Sequence, residues 1–207
     1  SLSMINNIKV QGFRNFKKGE FEFSPGITLI VGPNASGKTN ILESLFILST
    51  GKSFKAKVEE EVVNYEKDIA RINGVLGGVT RDGEPQVRGH ELVSRRKGLG
   101  ADERQDPGIK LEAIITRGQI DIGGDRPEKA PRKKLLVNGV ARRMIDFAGN
   151  FKVVLFGPWD MDLVTESPSI RRKFLDTVLS QIDREYRRSA LSYEKGLRQR
   201  NRVLLDI

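Results

Sequence analysis

The chain has 207 residues, 38% of them hydrophobic, a size and composition that suit one globular domain or one domain with an appendage. It contains no cysteine, which excludes a disulfide framework and cysteine-based zinc sites, and no apolar run near the roughly 18 residues of a membrane span. The 36 lysines and arginines against 27 acidic residues give a net charge of +9, which favours a polyanionic partner but is also compatible with plain solubilising charge.

The first predicted elements are β-strands. Apolar and polar residues alternate over residues 5–12 and again over residues 20–23, and Ser24-Pro25-Gly26 predicts a turn. The apolar residues 27–31 are then expected to form a strand that leads into a loop. We interpret the three residues before Met4 as a cloning remnant and expect the native protein to begin at Met4.

Residues 32–39 form a complete G-x-x-x-x-G-K-T phosphate-binding motif between that predicted strand and a predicted helix over residues 39–50, which Gly51 is expected to end. The flanking elements argue against a chance match. We expect Lys38 to reach the β- and γ-phosphates of ATP and the Thr39 hydroxyl to bind Mg²⁺. The backbone N–H groups of the loop and the helix N-terminus would hold phosphate oxygens. The residues predicted to bind the nucleotide here are Gly32, Pro33, Asn34, Ala35, Ser36, Gly37, Lys38, Thr39 and Asn40.

The middle of the chain has the pattern of an antiparallel sheet. Alternation over residues 69–79, 109–116 and 134–137 predicts strands, and Asn138-Gly139 predicts the turn of a hairpin. Residues 81–106 and 123–132 are rich in charge, glycine and proline and are predicted to be flexible loops. The short charged segment 58–65 has no clear pattern.

The last third of the chain is predicted to be mostly helical. A short helix is expected over residues 141–148, and residues 151–156 are expected to form a buried strand closed by Gly157-Pro158. From residue 168 onward the chain is predicted to be helical, with basic residues opposite an apolar stripe. The stripe consists of Phe174, Leu175, Val178, Leu179 and Ile182.

Basic residues occur in clusters along much of the chain, and the clusters include Arg171, Arg172 and Lys173 and the region from Arg184 to Arg202. Cations at the start of a helix oppose its dipole, so a purely structural use of Arg171, Arg172 and Lys173 is unfavourable. We therefore predict that these three residues contact DNA phosphates, with solvated surface charge as the alternative.

Several blocks of sequence, in order, resemble the RecF family of bacterial DNA replication and repair proteins. They are Phe13-Arg14-Asn15-Phe16, the phosphate loop with Thr39-Asn40-Ile41-Leu42-Glu43, Gly51-Lys52-Ser53-Phe54, Phe156-Gly157-Pro158-Trp159-Asp160-Met161-Asp162-Leu163-Val164, Arg171-Arg172-Lys173-Phe174-Leu175-Asp176 and the segment from Tyr193 to Asn201. The resemblance implies an α/β P-loop NTPase of the ABC/SMC-head type, with a β-rich N-terminal lobe, the phosphate-loop helix and the start of a helical arm. It also implies a cytoplasmic protein that forms ATP-dependent homodimers, binds duplex, gapped or junction DNA and, with recombination mediator proteins, loads a recombinase at single-strand gaps.

The resemblance also suggests roles outside the loop. It implies that Arg14 and Asn15 contact nucleotide phosphate and that Asp160 contacts the metal, although a surface arginine and a turn-capping aspartate are equally good interpretations. Lys52 and Lys55 stand where the family usually has arginine, which removes a planar bidentate donor at each position.

The sequence contains neither a Leu-Ser-x-Gly-Gln signature nor an apolar run ending in Asp-Glu. We therefore expect the N-terminal part of a slow, DNA-stimulated ATPase, with a head over residues 4–165 and the start of a helical arm over residues 166–207. The alternatives are a stand-alone P-loop enzyme that uses a nucleoside triphosphate and an SMC-type structural chromosome protein.

Overall fold

The computed structural model describes residues 3–24, 26–78, 108–121, 123, 127–161, 163 and 168–205. Within them the strands are β1 Ser3–Phe13, β2 Phe16–Glu22, β3 Ile69–Gly78, β4 Ile109–Thr116, β5 Gln119–Ile120, β6 Glu128–Lys129, β7 Lys133–Val137 and β8 Val140–Arg142. The helices are α1 Lys38–Thr50, α2 Met144–Phe147, α3 Pro168–Ile182 and α4 Arg184–Leu205, with 3₁₀ helices at Glu59–Val62 and Pro158–Met161. None of these helices is long and apolar enough to cross a membrane.

The main sheet has six strands in the order β2-β1-β3-β4-β7-β8, and all neighbouring pairs are antiparallel. A register shift between Ile5 and Asn7 interrupts the pairing of β1 with β3. The predicted hairpin is confirmed: Val137 pairs with Val140, and Asn138 and Gly139 both have positive φ, of 51° and 79°. Two consecutive left-handed residues form the tight turn that matches strand twist.

Helix α1 packs against one face of the sheet and positions the phosphate loop. Ile41, Ile47 and Leu48 are buried on the side of α1 that faces the sheet core. The absence of a side chain on Gly74 in β3 permits this close approach, because a Cβ there would lie 2.7 Å from Leu48 Cδ1. The predicted C-terminal cap is confirmed: Gly51 has φ 75°, and its N–H donates to the carbonyl of Ile47.

Two predicted strands are wrong. Residues 27–31 and 151–156 pair with no strand in the described part of the chain, and Ile27, Leu29 and Val31 are 96%, 82% and 76% exposed. Alternating residues nevertheless pack inward, since Ile30 and Val153 contact the core. Each segment follows the residue alternation of a strand, but a strand also requires a neighbouring backbone to hydrogen-bond with.

The predicted loops are only partly described. Residues 81–106 lie outside the described ranges, and within 123–132 the strand β6 pairs with β5, which the sequence pattern did not predict. The unassigned segment 58–65 contains the first 3₁₀ helix. The short helix predicted over residues 141–148 is confirmed only over Met144–Phe147, which form α2, because residues 141 and 142 belong to β8.

The predicted C-terminal helical region is confirmed as two helices rather than one. Asp183 separates them, and its Oδ1 accepts hydrogen bonds from the backbone N–H groups of Glu185 and Tyr186 at 2.8 and 3.0 Å, as an N-cap does. The predicted apolar stripe on α3 is less buried than expected, with Leu175 and Ile182 exposed. The assignment of residues 4–165 and 166–207 to two units stays a prediction.

A buried glutamine joins the far end of α1 to the helical region. Gln181 Oε1 accepts from Ser49 Oγ at 2.6 Å and from the N–H of Val153 at 2.7 Å. Its Nε2 donates to the carbonyls of Val153 and Thr177 at 2.9 and 3.2 Å. The amide group therefore links three parts of the chain with its hydrogen-bonding capacity in use.

We expect Gln181→Ala to lower the free energy of unfolding by about 2 to 3 kcal/mol, because the substitution leaves the backbone N–H and carbonyl of the partly buried Val153 without the partners that Gln181 supplies, while Ser49 keeps its hydrogen bond to the carbonyl of Phe151. Urea unfolding followed by circular dichroism measures the loss. Gln199→Ala on α4 is the matched control, since Gln199 is exposed, and it should change stability by less than about 0.5 kcal/mol. Equal stability of the two variants would contradict the role of Gln181.

Candidate phosphate-binding site

The phosphate loop joins residues 27–31 to α1, and its last glycine makes the turn. Gly37 has φ 102°, and a Cβ on it would lie 2.5 Å from Phe16 Cζ and 2.9 Å from Asn15 Oδ1. Any other residue would meet both backbone strain and a clash there. Ala35 also has positive φ, of 65°. The second glycine of the motif is thus required by the contact between the loop and the β1–β2 turn.

The N-terminus of α1 has the features of an anion site. The N-cap is Gly37, no side chain caps the helix, and its first turn contains no acidic residue. The first N–H groups of a helix have no partner within it and form the positive end of its dipole. The loop residues that precede the turn are exposed, so a phosphate group can reach these donors.

The predicted phosphate lysine lies over its own loop. Lys38 Nζ donates to the carbonyl oxygens of Gly32 and Pro33, each at 2.7 Å. The ammonium group is therefore already held at the loop. Thr39 is exposed on the first turn of α1.

Asn15 connects the β1–β2 turn to the loop. Its Oδ1 accepts from Asn40 Nδ2 at 2.8 Å, and its Nδ2 donates to the carbonyl of Ser36 at 3.4 Å. Asn15 and Asn40, both predicted to bind nucleotide, are thus brought together beside the loop. Their contact with phosphate stays a prediction.

Arg14 makes different contacts from those the sequence predicts. Its Nε and Nη2 donate to the two carboxylate oxygens of Glu43 at 2.8 and 2.6 Å, and its Nη1 donates to the carbonyl of Glu61 at 2.8 Å. Ser53 Oγ donates to the same carboxylate at 2.5 Å. The guanidinium group is directed at α1 and the first 3₁₀ helix, and its predicted contact with nucleotide stays untested.

Glu43 is a structural residue that we did not predict from the sequence. Its side chain is fully buried, although it belongs to the helix that follows the phosphate loop. An acidic residue four positions before the core residue Ile47 is a signal that could have identified it, because the two lie on the same helix face. Its partner, Arg14, is 29 residues away in sequence, and no local pattern indicates the pairing.

The predicted metal and DNA residues occupy ordinary structural positions. Asp160 Oδ2 accepts from the N–H of Gly157 at 2.6 Å, which is the geometry of a turn-capping aspartate. In the described ranges, no group of three or more His, Cys, Asp or Glu side chains could hold a metal ion. Arg171, Arg172 and Lys173 are exposed on the first turns of α3, and Arg172 Nε donates to the carbonyl of Pro168 at 3.3 Å. The metal and DNA roles of these residues stay predictions.

Comparisons with known proteins agree with this geometry. Residues 4–96 match the profile of the RecF/RecN/SMC N terminal domain. The chain is 35% identical over 204 residues to the DNA replication and repair protein RecF of Roseiflexus castenholzii, covering 97% of this chain and 46% of the relative. It is also 35% identical over 202 residues to RecF of Herpetosiphon aurantiacus, covering 97% and 47%. The chain thus spans about half the length of these curated relatives.

Two solved structures resemble the fold of this chain. The recombination mediator protein RecF-ATPrS of the RecFOR pathway superposes with a TM-score of 0.71 at 30% identity, covering all of this chain and 46% of that one. An SMC head bound to the C-winged helix domain of ScpA superposes with a TM-score of 0.52 at 18% identity, covering 89% and 55%. The predicted fold, a P-loop NTPase of the ABC/SMC-head type, is confirmed.

Proposed function

This chain is a RecF-like sequence with the fold of an ABC/SMC-type ATPase head, and from that premise we propose that it is the ATP-binding part of a DNA replication, repair and recombination protein. The observation that carries the proposal is the loop itself. Gly37 makes a left-handed turn, Lys38 Nζ lies over the loop, and α1 begins without a side-chain cap. This combination accepts a polyphosphate.

The residues of the loop fit ATP and Mg²⁺. Backbone N–H groups of the loop and of the first turn of α1 would hold phosphate oxygens, and Lys38 would meet the β- and γ-phosphates. Thr39 would supply a hydroxyl for Mg²⁺, and Asp160 would supply a carboxylate. Asn15 holds the loop in position through Ser36 and Asn40. Bound Mg²⁺ would neutralise phosphate charge.

The wider role is that of a cytoplasmic DNA-binding protein. The net charge of +9 favours DNA as the partner. On this proposal, ATP promotes pairing of two heads on DNA, and the dimer acts with recombination mediator proteins to load a recombinase at single-strand gaps during the response to DNA damage. The structural relative from the RecFOR pathway supports this assignment.

Phosphate release separates this proposal from a self-contained enzyme. The 207 residues contain no Leu-Ser-x-Gly-Gln signature and no apolar run ending in Asp-Glu, the two motifs that dimeric ATPases of this type need for hydrolysis. We expect this chain to release phosphate from ATP at the background rate, and a full-length protein to turn over slowly and faster with DNA. A coupled phosphate assay measures both. Robust turnover by residues 4–207, abolished by Lys38→Ala, would instead favour a stand-alone P-loop enzyme.

A further inference from the structure

The long helix α4 carries most of its cations on one face. At about 100° per residue, five of them fall within a sector of about 80°. They extend over about 27 Å of the helix at 1.5 Å per residue. We call this set the basic stripe, and it consists of Arg184, Arg188, Lys195, Arg198 and Arg202.

The side chains of the stripe are exposed, although the partly buried Leu191 lies within its sector and the buried Arg187 lies about 20° outside it. All five residues are exposed, whereas Tyr186, Ala190 and Leu197, on the other side of the helix, are partly buried. Arg187, which lies outside the stripe, is buried and donates to the carbonyl of Ile145 at 2.6 Å. Arg187 therefore anchors the N-terminal part of the helix, and the five side chains of the stripe face solvent.

Protein carboxylates do not neutralise most of the stripe. Arg184 Nη2 lies 2.6 Å from Asp146 Oδ1, and this contact, with a second from Arg143, holds the pKa of Asp146 below its usual value. Across the described part of the chain, the other four stripe residues have no acidic partner. The acidic residues of α4, Glu185 and Glu194, lie on other faces, and Glu194 pairs with Lys52 at 3.1 Å.

An arrangement of this kind disfavours the isolated helix. Cations three or four residues apart repel each other along a helix face, as Arg198 does with Lys195 and with Arg202. A solvated helix gains nothing from this placement, whereas a row of phosphates turns the repulsion into attraction and releases condensed counterions. Arg171, Arg172 and Lys173 differ from the stripe, because consecutive helical residues point about 100° apart and do not form one surface.

We propose that the basic stripe of α4 is the surface that binds the phosphate backbone of duplex DNA. The inference rests on the proposed function and names the residues through which this chain would hold its partner. A row of about 27 Å corresponds to about eight base pairs at 3.4 Å each, enough for several phosphate contacts. Lysine and arginine contacts to phosphate position a protein without reading bases, so the stripe is expected to bind independently of sequence.

The test uses the full-length protein with Arg188, Lys195, Arg198 and Arg202 changed to glutamine. Arg184 stays, because it also pairs with Asp146. Fluorescence anisotropy with duplex DNA across a salt series measures the slope of log K against log salt. We expect the magnitude of this slope to decrease by about 3 to 4 in the variant. The affinity should decrease equally for duplexes of unrelated sequence. ATP affinity and circular dichroism should be unchanged, since the stripe lies outside the phosphate loop.

Two controls make the outcome decisive. The first control changes the exposed lysines Lys18, Lys110, Lys129 and Lys134 to glutamine. It alters the net charge equally but places the changes in strands β2, β4, β6 and β7, so most of the salt slope should remain. Two results would overturn the role of the stripe but not DNA binding itself: an equal loss of salt slope in this control, or an unchanged slope in the stripe variant while wild type binds DNA. If only a variant at Arg171, Arg172 and Lys173 loses salt slope, the DNA surface lies on α3 and not on the stripe. Failure of wild type to bind DNA would overturn the DNA role itself, and the stripe with it.

Discussion

Replacing Lys38 with alanine is expected to weaken ATP binding by about 2 to 3 kcal/mol, or roughly 30- to 150-fold, because a charge-assisted contact to phosphate is lost. The ammonium group lies 2.7 Å from the carbonyls of Gly32 and Pro33, so it is held at the loop before any phosphate arrives. Little side-chain entropy then opposes the contact with phosphate. Titration calorimetry with a non-hydrolysable ATP analogue measures the loss.

Two comparisons make this measurement specific. Lys55→Ala removes an exposed lysine outside the phosphate loop and should leave the affinity within about twofold. Thermal unfolding of Lys38→Ala should match wild type closely, because the lost hydrogen bonds are exposed to solvent. If Lys38→Ala and wild type bind the analogue with equal affinity, the loop is not the nucleotide site.

The second large effect concerns the ion pair of Arg14 and Glu43. Arg14→Ala is expected to lower the free energy of unfolding by about 3 to 5 kcal/mol, because it leaves a buried carboxylate without its cation. The Glu43 side chain is 0% exposed and the Arg14 side chain 16% exposed. Glu43→Ala should therefore cost less, since water can reach the remaining guanidinium group.

Urea unfolding at neutral pH tests both substitutions. The matched control is Lys9→Ala, which breaks the exposed pair of Lys9 and Glu20 at 2.7 Å and should cost less than about 1 kcal/mol. The double variant Arg14→Met/Glu43→Leu should recover much of the loss, because it replaces both charges with apolar groups of similar size. Arg14→Ala costing no more than Lys9→Ala would show that the buried pair does not hold α1 to the β1–β2 turn.

The features predicted correctly from sequence are those that a few neighbouring residues determine. Asn138-Gly139 supplies the two positive φ angles that its hairpin needs, and Gly51 ends α1 through its own backbone conformation. The phosphate loop could be identified from glycines within eight residues, although the contacts that require Gly37 come from Asn15 and Phe16 in the β1–β2 turn. Local chemistry was sufficient in each case.

The features predicted wrongly or missed depend on distant residues. Residues 27–31 and 151–156 alternate as strands do, but pairing requires a backbone from elsewhere. The burial of Glu43 depends on Arg14, and that of Gln181 on Ser49, which is 132 residues away. The periodicity of one segment contains no information about such partners.

The unpaired segments 27–31 and 151–156 also affect how this chain behaves at high concentration. Ile27, Leu29 and Val31 in the first, and Val154 and Phe156 in the second, expose apolar side chains beside a backbone that pairs with no strand in the described ranges. Segments of this kind are sites where chains add to one another edge to edge and precipitate. Colloidal stability therefore depends on keeping both segments covered, and mutual repulsion from the +9 net charge opposes self-association when they are not.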